Sequence, residues 1–265
     1  MVNTAALKQI DERIIQWLDQ VRTMLPAMIK EMDLQTKANR FDLVTNVDKS
    51  IEQSFEEMLT KEFPEHQLYG EEAHHDTDRL REGYTWVLDP IDGTANLVKQ
   101  QDDFCLILGL FYNGEPVLSY IDEFPRQKRF KAIKGEGVYL NDERLSPPPE
   151  RPLKDCLISF NNKGLNDETM HDLLDASFGY RLIGACGLDS AKVFTGQFGV
   201  HIHTNAKPWD IGAQFLFADM LGLKMTNFQQ GPIDFIKGGP FIISNKGCYE
   251  EMLEILLQKG GYQKA

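Results

Sequence analysis

Between Trp86 and Ala95 the chain reads Trp-Val-Leu-Asp-Pro-Ile-Asp-Gly-Thr-Ala, an apolar run that stops at two carboxylates, a glycine and a hydroxyl. Carboxylates hold hard cations such as Mg2+ through oxygen. The free N–H groups of a helix N-terminus attract phosphate oxygens. Thr85 to Leu88 is short, rich in β-formers and bounded by turn residues, which predicts a buried strand with Asp89 at its carboxyl end. Pro90 forbids continuation in a central strand and pushes Asp89 toward an extended conformation. Gly93 opens backbone angles closed to other residues, and Thr94-Ala95-Asn96-Leu97 can start a helix. Two carboxylates and a helix N-terminus around one small volume suit metal-assisted phosphate chemistry. Taken alone, the stretch also reads as a turn in which Asp89 caps a helix and Asp92 is solvated.

Three further acidic positions sit where elements begin or end. Leu68-Tyr69-Gly70-Glu71-Glu72 is a short apolar strand ending in carboxylates, of which at most one can face a shared metal if the strand persists; taken alone, surface solvation is the commoner explanation of such a pair. In Thr45-Asn46-Val47-Asp48, Asp48 precedes a helical pattern through Ile51, Phe55, Met58 and Leu59, where it also reads as the N-cap. Lys207-Pro208-Trp209-Asp210 opens an apolar helix, placing Asp210 as a cap or first-turn dipole partner. His201 and His203 alternate along one strand and can face the same way, as strand decoration or a ligand pair.

The elements that must position these groups follow from periodicity. Leu7, Ile10, Ile14, Leu18, Val21, Leu25 and Met28 predict one long amphipathic helix over the first thirty residues. From Asp33 to Asp42 the pattern vanishes, which predicts a mobile loop able to fold over a site, or a plain solvated connection. Apolar runs at 104–112, 117–121 and 130–133, with Asn113-Gly114 and Lys134-Gly135-Glu136-Gly137 at their turns, predict an antiparallel meander. The proline-rich segment 147–152 predicts a linker between a part at 1–146 and a part at 153–265. Beyond it, strands at 156–160, 180–183, 200–204, 223–228 and 241–244 alternate with helices through Leu173, after Ser190, from Asp210 to Leu221 and through Leu253, an α/β pattern.

Composition bounds the partners. The 265 residues carry 28 basic and 40 acidic side chains, a net charge of −12, which argues against broad nucleic-acid or anionic-membrane binding. An acidic chain acting on a phosphorylated substrate needs a cation to overcome repulsion. Cys105, Cys156, Cys186 and Cys248 form no CxxC or CxH pair, so buried free thiols in a reducing compartment are expected. No signal-peptide core or membrane span is apparent, and a cytoplasmic location is expected.

Together Gly70-Glu71-Glu72, Asp89-Pro90-Ile91-Asp92-Gly93-Thr94 and Trp209-Asp210 resemble the signature of the inositol monophosphatase family of Mg2+-dependent, Li+-sensitive phosphatases, over nearly the whole chain. The resemblance implies the sugar-phosphatase fold, a layered αβαβα sandwich with an α+β first part and an α/β second part, and a homodimer. It implies that Glu71, Asp89 and the Ile91 carbonyl bind one metal, that Asp89 bridges to a second held by Asp92 and Asp210, and that Glu71 reaches a third through water. It further implies that Asp48 and Thr94 orient a metal-activated water attacking phosphorus in line, that the Gly93 and Thr94 amides hold phosphate, and that Lys37 lies near the entrance. The chain departs from the pattern in its substrate pocket. His203 stands where a sugar-binding Glu is usual, Gly184-Ala185-Cys186-Gly187 replaces a Gly-Ser segment, and Ala95 to Lys99 replace the commoner Thr-Asn-Phe-Val-His. A small phosphate ester is the implied substrate. Alternatives are NADP(H), a nucleotide bisphosphate or fructose 1,6-bisphosphate, with His203 and Lys99 favouring a more anionic compound. Another class is a partner-binding regulatory protein that retains the metal site.

Overall fold

The apolar stripes of the first two helices need a common face to cover. In the structure, a computed structural model describing residues 4–36, 43–72, 79–161 and 163–258, they share one face of a seven-stranded sheet. Helix α1 (Thr4–Lys30) is followed by a short antiparallel pair, β1 (Leu34–Thr36) and β2 (Leu43–Thr45), and by α2 (Asn46–Glu62). The expected 33–42 loop thus enters as a paired strand, while 37–42, including Lys37, lie outside the described residues. The large sheet comprises β3 (Gln67–Gly70), β4 (Tyr84–Asp92), β5 (Cys105–Tyr112), β6 (Glu115–Glu123), β7 (Lys128–Ile133), β8 (Gly137–Leu140) and β9 (Glu143–Leu145), in that order across the sheet. Only the β3–β4 pair is parallel. Helix α3 (Thr94–Gln100) joins β4 to β5.

The second sheet has the order β11-β10-β12-β14-β13. Its elements run β10 (Leu157–Phe160), α4 (Asp167–Ala176), β11 (Gly179–Tyr180), α5 (Cys186–Phe194), β12 (Val200–Ala206), α6 (Pro208–Ile211), α7 (Gln214–Met220), β13 (Lys224–Thr226), β14 (Gly239–Ser244) and α8 (Lys246–Leu257).

Strand periodicity sorts the core into layers. Leu106, Leu108 and Leu110 of β5 pack with Trp86, Leu88, Ile14, Leu18 and Phe55 beneath α1 and α2. Their neighbours Cys105 and Ile107 point to the opposite face and meet Leu188, Phe194, Ile211 and Phe217 of α5 to α7, together with Phe241 and Ile243 of the second sheet. The far face of that sheet, Ile158, Val200, Ile202 and Ile242, is covered by Leu173 of α4 and Met252 and Leu256 of α8. The result is the αβαβα sandwich, with the helices most relevant to the site clamped between the two sheets.

Three local expectations are corrected. Strand β4 does not end at Asp89 but runs through Pro90 to Asp92 as an inner strand, because a register shift between Asp89 and Asp92 takes Pro90 out of the regular ladder with β5. The strand expected over 180–183 stops at Tyr180, since the amides of Ile183 and Gly184 turn to the Asp189 carboxylate at 3.1 and 3.0 Å. The helix expected from Asp210 to Leu221 starts at Pro208 and breaks at Gly212-Ala213, where the Gln214 side chain donates to the Asp210 carbonyl at 2.6 Å. The break presses Gly212 onto β5: a Cβ on Gly109 would fall 2.1 Å from the Gly212 carbonyl oxygen. This contact sets the start of α6, and with it Asp210, directly on β4 and β5.

Candidate active site

The β4 bulge turns both aspartates of the motif inward. Asp89 and Asp92 are 2% and 7% exposed, so neither is solvated as a simple turn would have it. Asp89 Oδ1 accepts the Ile91 N–H at 3.0 Å. Burial raises its carboxyl well above the usual range, and the charges of Glu71, Asp92, Asp210 and Asp48 raise it further. Asp89 is therefore where the acidic groups from four separate elements converge.

Asp92 is gripped from the other sheet's side. Its Oδ1 accepts the Cys186 N–H at 3.0 Å, and its Oδ2 accepts the Gly187 N–H at 2.7 Å and lies 3.3 Å from the Cys105 thiol. These amides open α5, so the helix N-terminus supplies the positive end of its dipole to the carboxylate. Burial nevertheless pushes Asp92 up to about 6, against the lowering by those two amides. Asp210 accepts the Lys207 N–H at 2.6 Å, as third residue of the short α6 and not as its cap. Burial pushes its carboxyl up to about 7, which the Lys207 N–H opposes and Asp92 reinforces.

Asp48 is not the N-cap of α2. Thr45 holds that position, its hydroxyl accepting the Val47 N–H at 3.1 Å, while Asp48 Oδ2 reaches back to the Thr45 N–H at 2.9 Å in a capping box. The second oxygen, Oδ1, is thereby aimed at the Thr94 hydroxyl, 3.2 Å away, which also lies 3.0 Å from the Ile91 carbonyl oxygen. Gly93, at φ 89°, caps α3 in the left-handed region, which lets the chain leave the strand and present the first-turn amides at once. Ala185 packs against this turn, since a Cβ on Gly93 would lie 3.1 Å from the Ala185 Cβ.

The structure therefore brings together Asp48, Glu71, Asp89, Ile91, Asp92, Gly93, Thr94, Ala185 and Asp210. Glu71 occupies the bend after β3, one residue beyond Gly70, which pairs in register with Leu88. His203 is half-buried on β12, its ring stacked on Phe241 with centroids 6.1 Å apart and 6.2 Å from the His201 ring. Burial, with His201 beside it, depresses His203 to about 3. At that value the ring is a neutral imidazole at ordinary pH, so a contact it makes with an anion is a hydrogen bond rather than a charge pair. Lys99 is exposed near the far end of α3 from Gly93. Lys37 lies outside the described residues.

Two contributions are absent from the sequence reading. The amides of Cys186 and Gly187 hold Asp92, and the signal for them was a helix opening directly after Gly184. The Glu52 carboxylate lies behind Glu71, and its spacing four residues after Asp48 on one helix face was the available cue. Among the described residues, no group of three or more His, Cys, Asp or Glu side chains is closed around one point as a metal cage. The donor set nevertheless fits a hard divalent cation: the groups are all oxygen donors, and their charges crowd onto buried Asp89, a concentration of negative charge that a cation offsets.

Known proteins resemble this chain along nearly its whole length. The model of the inositol monophosphatase family matches residues 4–260. An inositol-1-monophosphatase of Bacillus subtilis (strain 168) is 29% identical over 253 residues, covering 93% of this chain and 96% of that protein. A crystal structure of an IMPase/NADP phosphatase complexed with Mg2+ and phosphate superposes with TM-score 0.95 at 55% identity, covering 98% of this chain and 99% of that one. A second, complexed with NADP and Ca2+ at pH 7.0, gives TM-score 0.95 at 55% identity over 97% and 98% of the two chains.

Proposed function

The chain belongs to the inositol monophosphatase family and is a phosphoric monoester hydrolase, and from that premise we propose that it hydrolyses small phosphate monoesters of the inositol phosphate type with Mg2+. The observation that carries the reading is the convergence of four carboxylates on buried Asp89 beside the hydrogen-bonded Asp48–Thr94 pair. Glu71, Asp89, the Ile91 carbonyl, Asp92 and Asp210 are the residues that would hold two to three ions. Mg2+, when bound, supplies the Lewis acidity that makes water nucleophilic near neutral pH and offsets the phosphate charge.

The chain's own residues do the rest. Asp48 Oδ1 takes the Thr94 hydroxyl proton in a hydrogen bond, which leaves Thr94 Oγ1 as acceptor toward an attacking water. The Gly93 and Thr94 amides at the start of α3 receive phosphate oxygens. Ala185 and neutral His203 border the leaving group, with Asp210 on the same side. The leaving alkoxide takes a proton from water. The part before 147 supplies Asp48, Glu71, Asp89 and Asp92 and the part after 152 supplies Asp210, so the site is completed only across that boundary.

The 2′-phosphate of NADP is a second substrate reading, supported by the 55% identical IMPase/NADP phosphatase crystallised with NADP. A cytoplasmic homodimer accords with four buried free thiols and with Phe178 and Leu182, 75% and 48% exposed, flanking the edge strand β11. Among the described residues no helix is long and apolar enough to cross a membrane. The test is phosphate release from inositol 1-phosphate, NADP, adenosine 3′,5′-bisphosphate and fructose 1,6-bisphosphate, with Mg2+ and with Mg2+ plus Li+. Mg2+-dependent, Li+-inhibited release led by inositol 1-phosphate supports the reading. Release from none of the four, with an intact fold, would turn it toward a partner-binding role.

A further inference from the structure

Glu52 is 3% exposed, a burial that a carboxylate accepts only with partners. It lies one turn after Asp48 on α2, so both carboxylates leave the same helix face toward the end of β4. Its Oε2 accepts the Glu72 N–H at 3.0 Å. The same carboxylate fills the space beside Gly70, where a built Cβ would lie 2.2 Å from Oε2 and 2.4 Å from Cδ. Glu52 therefore touches the backbone on both sides of Glu71. Gly70 is glycine because the carboxylate of Glu52 occupies the place of a side chain.

We propose that Glu52 is a positioning residue for the metal centre: from α2 it grips the Gly70–Glu72 turn and so holds the Glu71 carboxylate toward Asp89. The inference rests on the reading of Glu71 as a metal ligand. Residues that orient metal ligands typically affect metal affinity about 10- to 100-fold. Asp48 and Glu71 then share one rigid support, α2, though they are far apart in sequence.

The experiment is calorimetric titration of EDTA-stripped protein with Mg2+, alongside the Mg2+ dependence of turnover. Glu52→Ala, and Glu52→Asp, which withdraws the carboxylate by one methylene, are expected to weaken Mg2+ binding at least about tenfold. Glu52→Gln keeps an acceptor oxygen and is expected to stay within about threefold of the native protein. Gly70→Ala displaces the carboxylate and is expected to match Glu52→Ala, and combining the two should add little. At saturating Mg2+ the KM for inositol 1-phosphate should hold within about twofold, a split that general destabilisation would not produce. Should Glu52→Ala not fold, Glu52→Asp against Glu52→Gln makes the same comparison. Glu71→Gln separates the two levels. If it loses Mg2+ while Glu52→Asp binds within threefold of native, the positioning role is overturned alone. If Glu71→Gln binds Mg2+ as native, the ligand reading falls and this inference with it. A loss in Glu52→Gln with Glu52→Asp near native also overturns it, because the charge rather than the bond would then be at work.

Discussion

Replacing Asp92 by Asn should separate the electrostatic load of the site from its hydrogen bonds. The Asp92 carboxyl is raised from 3.8 to about 6 by burial, so the folded metal-free protein holds this proton more tightly than the unfolded chain. Such a group contributes stability that is fully present below pH 3.8 and is lost as pH rises through about 6. At pH 5 the group still contributes on the order of 1 kcal/mol, and at pH 8 almost nothing. Asn carries no such dependence, and it costs a fixed amount. Asp92 accepts two amides, from Cys186 and Gly187, and Asn turns an NH2 toward one of them, at about 1–3 kcal/mol. In EDTA the variant should therefore melt below the native protein at pH 5, and the gap should narrow by pH 8. At about 2–4 °C per kcal/mol, the narrowing is about 2–4 °C. Relief of Asp89 and Asp210, both raised by Asp92, acts in the same direction. Every other titrating group is common to both proteins and cancels. The assay is scanning calorimetry in EDTA at the two pH values. A gap equal at pH 5 and pH 8 to within a degree would refute the reasoning.

Further outcomes follow from the same contacts. Mg2+ must displace protons from ligands raised to about 6 and about 7, so its affinity should fall as pH drops from 8 to 6, with proton release measurable by calorimetry in buffers of different ionisation enthalpy. Thr94→Ala removes the hydroxyl that Asp48 aligns; turnover should fall about 100-fold or more with Mg2+ affinity little changed, and Thr94→Ser should recover much of it, as steady-state kinetics will show. Away from the site, fully buried Asp122 receives Arg22 of α1 and Arg129 of β7, tying the first helix to the sheet. Asp122→Ala should cost about 3–5 kcal/mol in chemical unfolding, because it leaves two guanidinium groups without their shared carboxylate.

What was legible in the sequence was whatever rests on local pattern. The run from Leu7 to Met28 and the apolar run in 104–112 each follow from short-range rules, and the helix and strand they predict are present. The carboxylate set of the site was legible for a different reason: Asp89, Asp92 and Asp210 each read singly as caps or turn residues, and only their joint resemblance to one family's motifs sets them apart. What escaped involved contacts between distant segments. Pro90 stays within β4 because the bulge releases it from the ladder, and β11 ends early because Asp189 captures the Ile183 and Gly184 amides. His203 read as a substrate-pocket candidate from its position ahead of Trp209-Asp210, and its neutrality depends on burial against Phe241 and His201. Glu52 carried no motif, and its bond from the Glu72 N–H together with the absent Cβ of Gly70 shows what it supports.

The most direct test of the central claim is phosphate release from inositol 1-phosphate by EDTA-stripped protein before and after Mg2+ is restored, for the native chain and for Asp92→Asn. A buried carboxylate centre that works through Mg2+ predicts no release when stripped, full recovery in the native protein and almost none in the variant. Release that persists in EDTA, or that Mg2+ restores equally in both, would contradict it.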